Sequence, residues 1–206
     1  MRVRDLTVKL GLDWGSASPG CVLWGAALPD GHVHIFDELK FQRMTVKDVA
    51  EAIKDKCADW KLERVPLVYC DPALKIRTGQ IGEDFISTFA RYGVSAVPVS
   101  NDRIVGWQRV HEALSTDPHT GTPWLTIHPR CKYLIRTLPL MVQAKNDPED
   151  LDTETDDHPA DALRYLLMGG LRPGTKAKTV ERYAPNTWGW WKSWHTKREE
   201  PSGVLA

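Results

Sequence analysis

At 206 residues, with 42% hydrophobic and 26% charged residues, the chain has the composition of a soluble globular protein and is too short for two full enzymatic domains. No apolar run approaches the roughly 20 residues needed to span a bilayer, and the N-terminus lacks the apolar segment and cleavage site of a signal peptide, so a cytosolic protein without a membrane partner is expected. Lys plus Arg balance Asp plus Glu at 27 each, which gives no support to a free-standing high-affinity DNA binder; nucleic-acid contact would have to come from local patches.

The even positions Leu6, Val8, Leu10 and Leu12 alternate with Thr7, Lys9, Gly11 and Asp13, which predicts a strand ending in an acid. Strands are expected from Cys21 to Leu28 and from His32 to Gln42, joined at Pro29-Asp30-Gly31, where Asp-Gly signals a hairpin. The opening is thus an antiparallel meander. Thr45, with Asp48 three residues on, resembles a capping box, and Val46, Val49, Ala50, Ile53, Cys57 and Trp60 recur at helical spacing. Leu67 to Cys70 is β-prone and leads into Asp71-Pro72, placing Asp71 at a strand tip because Pro cannot continue the ladder.

Ile81, Phe85, Ile86 and Phe89 predict a second helix stopped by Gly93, followed by a strand from Ser95 to Val99, the pattern of a parallel crossover. A third helix is expected from Asp102 to Leu114 with Ile104, Trp107, His111 and Leu114 on its apolar stripe. An edge strand at Pro123 to His128 and a helix from Pro129 to Leu140 come next. The acidic, aperiodic stretch 143–157 reads as a loop, and His158-Pro159 opens a last helix that ends at Gly169-Gly170. Residues 1–170 thus form one domain. Residues 171–206 are an appended tail in which Trp188, Trp190, Trp191 and Trp194 either stack bases, dock on a partner or pack back on the domain. Cys21, Cys57, Cys70 and Cys131 have no CxxC spacing and are expected to be buried, reduced thiols.

Asp13, Asp71 and Asp161 lie far apart in sequence, yet two parallel strands side by side would bring Asp13 and Asp71 to one sheet edge, where open α/β sheets bind ligands. Asp161 falls in the first turn of the last helix. Three acids in one cleft repel each other without cations, and hard oxygen ligands suit Mg²⁺ or Mn²⁺. Two such ions generate an attacking hydroxide and stabilise the leaving oxygen in phosphodiester cleavage. His158, three residues before Asp161, points to the same helix face. Lys75 and Arg77, close after Asp71, and Arg103 and Arg109 on the third helix are candidates for holding phosphates without reading bases.

The segments GLDWGSASPGCVLWGAAL, VYCDPA, GVSAVPV and DDHPADALRY resemble the nuclease domain of phage terminase large subunits, in the right order from about Leu6 to Gly170. The DHxxDALRY pattern at Asp157 to Tyr165 is the most specific part. The resemblance implies an α/β fold of ribonuclease H type, with a central mixed five-stranded sheet of antiparallel meander plus parallel strands, flanked by helices. It also implies a metal-dependent endonuclease for double-stranded DNA in which Asp13 bridges two metal ions, Asp71 and Asp161 complete the ligation and His158 joins the site. The implied partners are an ATPase domain, a portal and a small terminase subunit, in the cytoplasm of an infected bacterial host. Such subunits carry an ATPase domain first, whereas here Met1 almost abuts the first nuclease strand, which fits an isolated domain or a split coding sequence. Gly169 to Lys176 (GGLRPGTK) has the wrong residue order, and the wrong preceding element, for a phosphate-binding loop.

Three other readings compete. A four-way-junction resolvase of the RuvC type shares the fold, but the loop after the second strand and the ALRY continuation favour terminase. An actin- or sugar-kinase-like ATP-binding domain would need a duplicated domain and an adenosine motif. A non-catalytic packaging adaptor would not need Asp13, Asp71 and Asp161.

Overall fold

The alternation of the opening residues closes into an antiparallel meander of β1 (Thr7–Asp13), β2 (Gly20–Ala27) and β3 (Val33–Phe41). A computed structural model of the chain describes residues 2–15, 18–75, 84–141 and 156–174. Gly31 turns the β2–β3 hairpin at φ 93°, a conformation L side chains rarely adopt, and Asp30 secures the turn by accepting the His32 N–H at 3.0 Å. Helix α1 (Val46–Asp59) starts at the expected capping box: Thr45 Oγ1 accepts the Asp48 N–H and Asp48 accepts the Thr45 N–H. Two short strands, β4 (Val68–Cys70) and β5 (Ala96–Pro98), add in parallel beside β1, with α2 (Phe85–Arg91) between them in sequence.

After α3 (Arg103–Leu114), the edge segment β6 (Leu125–Ile127) pairs in parallel with β3. Among the described residues the sheet therefore has six strands rather than five, in the order β5-β4-β1-β2-β3-β6. The sixth joins because Val33, His34 and Ile35 pair in register with Leu125, Thr126 and Ile127. Every strand except β2 runs the same way, so the carboxyl ends of β1, β3, β4, β5 and β6 share one sheet edge. Both outer strands are three residues long, and β5 ends in Pro98.

Helix α4 (Lys132–Thr137) and the final α5 (His158–Met168) lie with α3 on one face of the sheet, over Cys21, Leu23, Val33 and Ile35. The other face packs Leu10, Leu12, Val22 and Trp24 against Val49, Ile53 and Cys57 of α1 and Phe89 of α2. All four cysteines are buried free thiols, as expected, and burial pushes the Cys70 thiol up to about 12.

Helix α3 corrects the sequence reading. Its buried residues are Gly106, Trp107, Val110 and Ala113, whereas Ile104 and Leu114, expected on the apolar stripe, are 38% and 41% exposed, and His111 is exposed. The arc is rotated because α3 packs on α5 where Arg164 emerges: a side chain on Gly106 would collide with the Arg164 Cγ at 2.7 Å, so the helix turns its small residues toward that arginine. Ile81 and residues 142–155 lie outside the described residues, as does the Trp-rich stretch. Leu171 is still buried, and the Gly174 N–H donates to the Gly31 carbonyl at 3.0 Å.

Helix α5 comes so close to β1 that no side chain fits between them at Gly11. A methyl group there would fall on the carbonyl oxygen of Ala162 and lie 2.8 Å from the Leu166 Cβ. Helix backbone cannot step aside as a side chain can, so Gly11→Ala is expected to lower stability by about 2 kcal/mol, within the range for over-packing. A shift in the urea midpoint at unchanged slope would report it; a wild-type midpoint would show that α5 does not rest on Gly11.

Candidate active site

Asp13 is the last residue of β1, and Asp71 directly follows β4. In the parallel ladder Leu12 is level with Cys70, so the next residues, Asp13 and Asp71, emerge from adjacent strands at the same edge. Neighbouring strands lie about 4.8 Å apart, which makes their backbones near neighbours. Past Asp13 the chain is anchored on the other face by Trp14, whose ring lies 4.9 Å from both Phe41 and Phe85.

Helix α5 brings the remaining groups. Pro159 suits its first turn, where an N–H would lack a partner, and the apolar residues Ala162, Leu163, Leu166 and Leu167 bury the helix against the sheet. His158, at the first helical position, donates from Nδ1 to Asp13 Oδ2 at 2.5 Å. One turn on, Asp161 is buried; its Oδ1 accepts from Arg164 Nε at 2.8 Å, and Arg103 Nη1 of α3 stands 3.7 Å from Oδ2. Tyr165 reaches back to β4, its hydroxyl donating to Asp71 Oδ2 at 2.5 Å, while Asp71 Oδ1 accepts the Ala73 N–H. One helix thus contacts Asp13 and Asp71 and supplies Asp161.

Crowded acids leave an electrostatic signature. Burial, then the nearby charges of Asp161 and Asp13, push the Asp157 carboxyl up to about 6 despite the opposing effect of His158. Asp161 is likewise raised, first by burial and further by Asp13, with Arg164 and Arg103 acting against the shift. The hydrogen bond to Asp13 raises His158. Among the described residues no three His, Cys, Asp or Glu side chains are already drawn into a metal cage. The donor chemistry nonetheless suits a hard divalent cation: clustered carboxylates with one imidazole, whose mutual repulsion a bound cation would offset.

The family model described as Terminase RNaseH-like domain matches residues 10–169, most of the chain. The chain belongs to this family. Among solved structures, the nuclease domain of the P22 large terminase is similar with TM-score 0.65 at 16% identity, covering 86% of each chain. The nuclease domain of the large terminase from bacteriophage SPP1, solved with bound Mn, gives 0.51 at 19% identity over 79% of this chain and 86% of that one. The large terminase nuclease from thermophilic phage G20c, solved with bound cobalt, gives 0.54 at 15% identity over 79% and 81%. The chain spans 39% of another large terminase, from a thermophilic bacteriophage, in complex with ATP-gamma-S. No curated protein matches the chain. This is the terminase large subunit nuclease fold, and the match gives no support to the resolvase, kinase-like or adaptor readings.

In this terminase domain the expected phosphate-binding cations separate. Lys75 is exposed at the end of a 3-10 turn, Pro72–Lys75, just after Asp71. Arg77 lies outside the described residues. Arg103 is drawn to Asp161. Arg109 sits six residues further along α3, roughly 9 Å down the axis, paired with Glu112 at 3.1 Å beside Leu167, Leu171 and Arg172. It is not part of the carboxylate cluster. Asp157, Arg164 and Tyr165 are not singled out by sequence alone, although all three lie within the DHxxDALRY stretch at helical spacings from Asp161 that place them on its side of the helix.

Arg164 is 1% exposed, and its guanidinium lies over the rings of Trp107 and Tyr165. Removing one member of a buried ion pair leaves the other charge uncompensated, so Arg164→Met is expected to cost about 3–5 kcal/mol. Adding Asp161→Leu should recover most of that loss. Urea unfolding of the single and double variants checks this; additive losses would show that the two side chains act independently.

Proposed function

We propose that this chain is a metal-dependent endonuclease that hydrolyses the backbone of double-stranded DNA during viral genome packaging. The observation that carries the reading is the convergence of His158, Asp161 and Tyr165, from one helix, on Asp13 and Asp71 at the tips of parallel strands. Residues 1–170 act as the nuclease domain, with 171–206 as a tail. The family points to an ATPase domain, a portal and a small terminase subunit as partners, in the cytoplasm of an infected bacterial host.

Asp13, Asp71 and Asp161, with His158 beside them, would hold two Mg²⁺ or Mn²⁺ ions. When bound, the ions supply a water acidic enough to attack at neutral pH and offset charge on the leaving oxygen. The SPP1 and G20c nuclease structures, solved with bound Mn and cobalt, support a divalent ion. The protein's own part is orientation. Arg164 and Tyr165 fix the two acids from the helix side, and His158 holds Asp13. Lys75, exposed next to Asp71, stays a candidate for a flanking phosphate, as does Arg77, whereas Arg103 acts through Asp161.

Cleavage of supercoiled plasmid is expected to require Mg²⁺ or Mn²⁺, to stop in EDTA, and to fail with Ca²⁺, which prefers looser coordination. Asp13→Asn, Asp71→Asn and Asp161→Asn should each lose at least about 100-fold, beyond the 10–100-fold typical of outer-sphere partners, while melting cooperatively. Full activity in EDTA would refute the metal mechanism, and an active, folded Asp13→Asn protein would refute the site. Imidazole tolerates Mn²⁺ better than Mg²⁺. His158→Ala should therefore lose more of the Mn²⁺-supported rate than of the Mg²⁺-supported rate; equal losses would reduce His158 to a partner of Asp13.

A further inference from the structure

Two cations share one aromatic ring beside the carboxylate edge. Lys40 Nζ lies 4.3 Å from the centroid of the Tyr133 ring, and Arg136 Cζ lies 5.8 Å from it. Both cations are exposed, and neither is paired with a carboxylate among the described residues. Acids at Tyr133 are already committed: Glu38 accepts the Tyr133 and Leu134 N–H groups at 2.7 and 3.0 Å, and Asp156 accepts the Tyr133 hydroxyl at 2.5 Å. Five basic side chains are instead held at acids: Lys56 and Arg130 lie at Asp37, Arg109 at Glu112, and Arg103 and Arg164 at Asp161. Both cations lie within 6 Å of one ring centroid, so an anionic backbone running past that ring meets two positive charges.

The register ties this pair to the catalytic edge. Asp13 pairs with Cys21 across β1 and β2, and Cys21 pairs with Lys40 across β2 and β3. Directly opposed residues of antiparallel strands share a sheet face, and each step is about 5 Å, so Lys40 stands in the Asp13 row roughly 10 Å away. Phosphates of one strand rise about 3.4 Å along the helix axis per nucleotide and are farther apart through space, so that separation spans fewer than about three nucleotides. Tyr133 also links the platform to the acids, because Asp156, which holds its hydroxyl, lies two residues before His158.

We infer that Lys40 and Arg136, carried on the ring of Tyr133, form a seat for the phosphate backbone of duplex DNA a few nucleotides from the bond cut at Asp13. The inference rests on the DNA-cleaving reading above. Contacts of this kind position the duplex and carry no sequence information. Arginine can clamp a phosphate with two N–H groups while lysine meets it as a point charge.

Binding of a short random-sequence duplex to the full chain in EDTA, followed by fluorescence anisotropy from 50 to 300 mM salt, separates this from catalysis. Each neutralised phosphate contributes about 0.9 to the salt slope, so Lys40→Gln and Arg136→Gln should each flatten it by about 0.9 and weaken binding roughly eightfold at 0.1 M salt. The double variant should flatten it by about 1.8. The losses should be alike on unrelated sequences. Lys47→Gln, on α1 across the sheet, should leave affinity and slope unchanged; unaltered thermal melts would show that every variant is folded. A double variant with wild-type affinity and slope would overturn the seat while leaving the nuclease reading intact, and a Lys47→Gln loss equal to that of Lys40→Gln would overturn it as mere net charge. If the wild type bound no duplex, the seat would fall, while plasmid cleavage in Mg²⁺ would decide the nuclease reading separately.

Discussion

Gly11 has no side chain, and the backbone of α5 occupies the space that one would fill. The intimacy of that contact sets the reach of everything α5 carries. His158 is an imidazole's length from Asp13, and Tyr165, nearly two turns later, spans to the neighbouring strand and Asp71. A helix lifted by the diameter of one methyl group would break these hydrogen bonds, since such contacts weaken within a few tenths of an ångström. The site's geometry is therefore a product of core packing more than of any loop.

The same helix carries an unfavourable load. Asp157, Asp161 and Asp13 crowd together, and burial adds to their mutual repulsion. Like charges in a partly buried site destabilise the fold unless other contacts offset them. Leu163, Leu166 and Leu167 supply that offset by burying the other side of α5, while Arg164 and Arg103 neutralise Asp161 locally. A cluster of acids held by this much apolar surface is the pattern expected where the charges serve function and the core bears their cost.

Strand periodicity, the Asp-Gly turn and the Thr45–Asp48 capping box are local signals, and all are legible in the chain itself. The tips of β1 and β4 are legible too, because an acid after an apolar alternation, and another before a proline, mark where strands stop. What stays hidden depends on distant residues. The buried arc of α3 is set by Arg164 of a different helix, so Ile104 and Leu114 do not take the place that periodicity alone assigns them. The pairing of Arg103 with Asp161 is hidden in the same way, because the two lie far apart in sequence. The pair of Arg109 with Glu112, by contrast, is legible, because three residues is a helical ion-pair spacing, as is Asp161 to Arg164. The one-turn spacing of Tyr165 to Asp161 points to the site as well, but nothing local reveals its target, Asp71.

The short outer strands bear on how the protein behaves when crowded. A β-sheet edge is a row of unsatisfied amides that templates its own extension, and the long, hydrophobic strands of this chain, β2 and β3, would make persuasive templates. They are shielded inside the sheet, while the borders are closed by Ala96–Pro98 and Leu125–Ile127, each too brief to recruit another chain firmly and one of them ending in a residue that cannot donate a ladder hydrogen bond. Short borders of this kind disfavour edge-to-edge pairing between copies, which leaves contacts between molecules to side-chain surfaces.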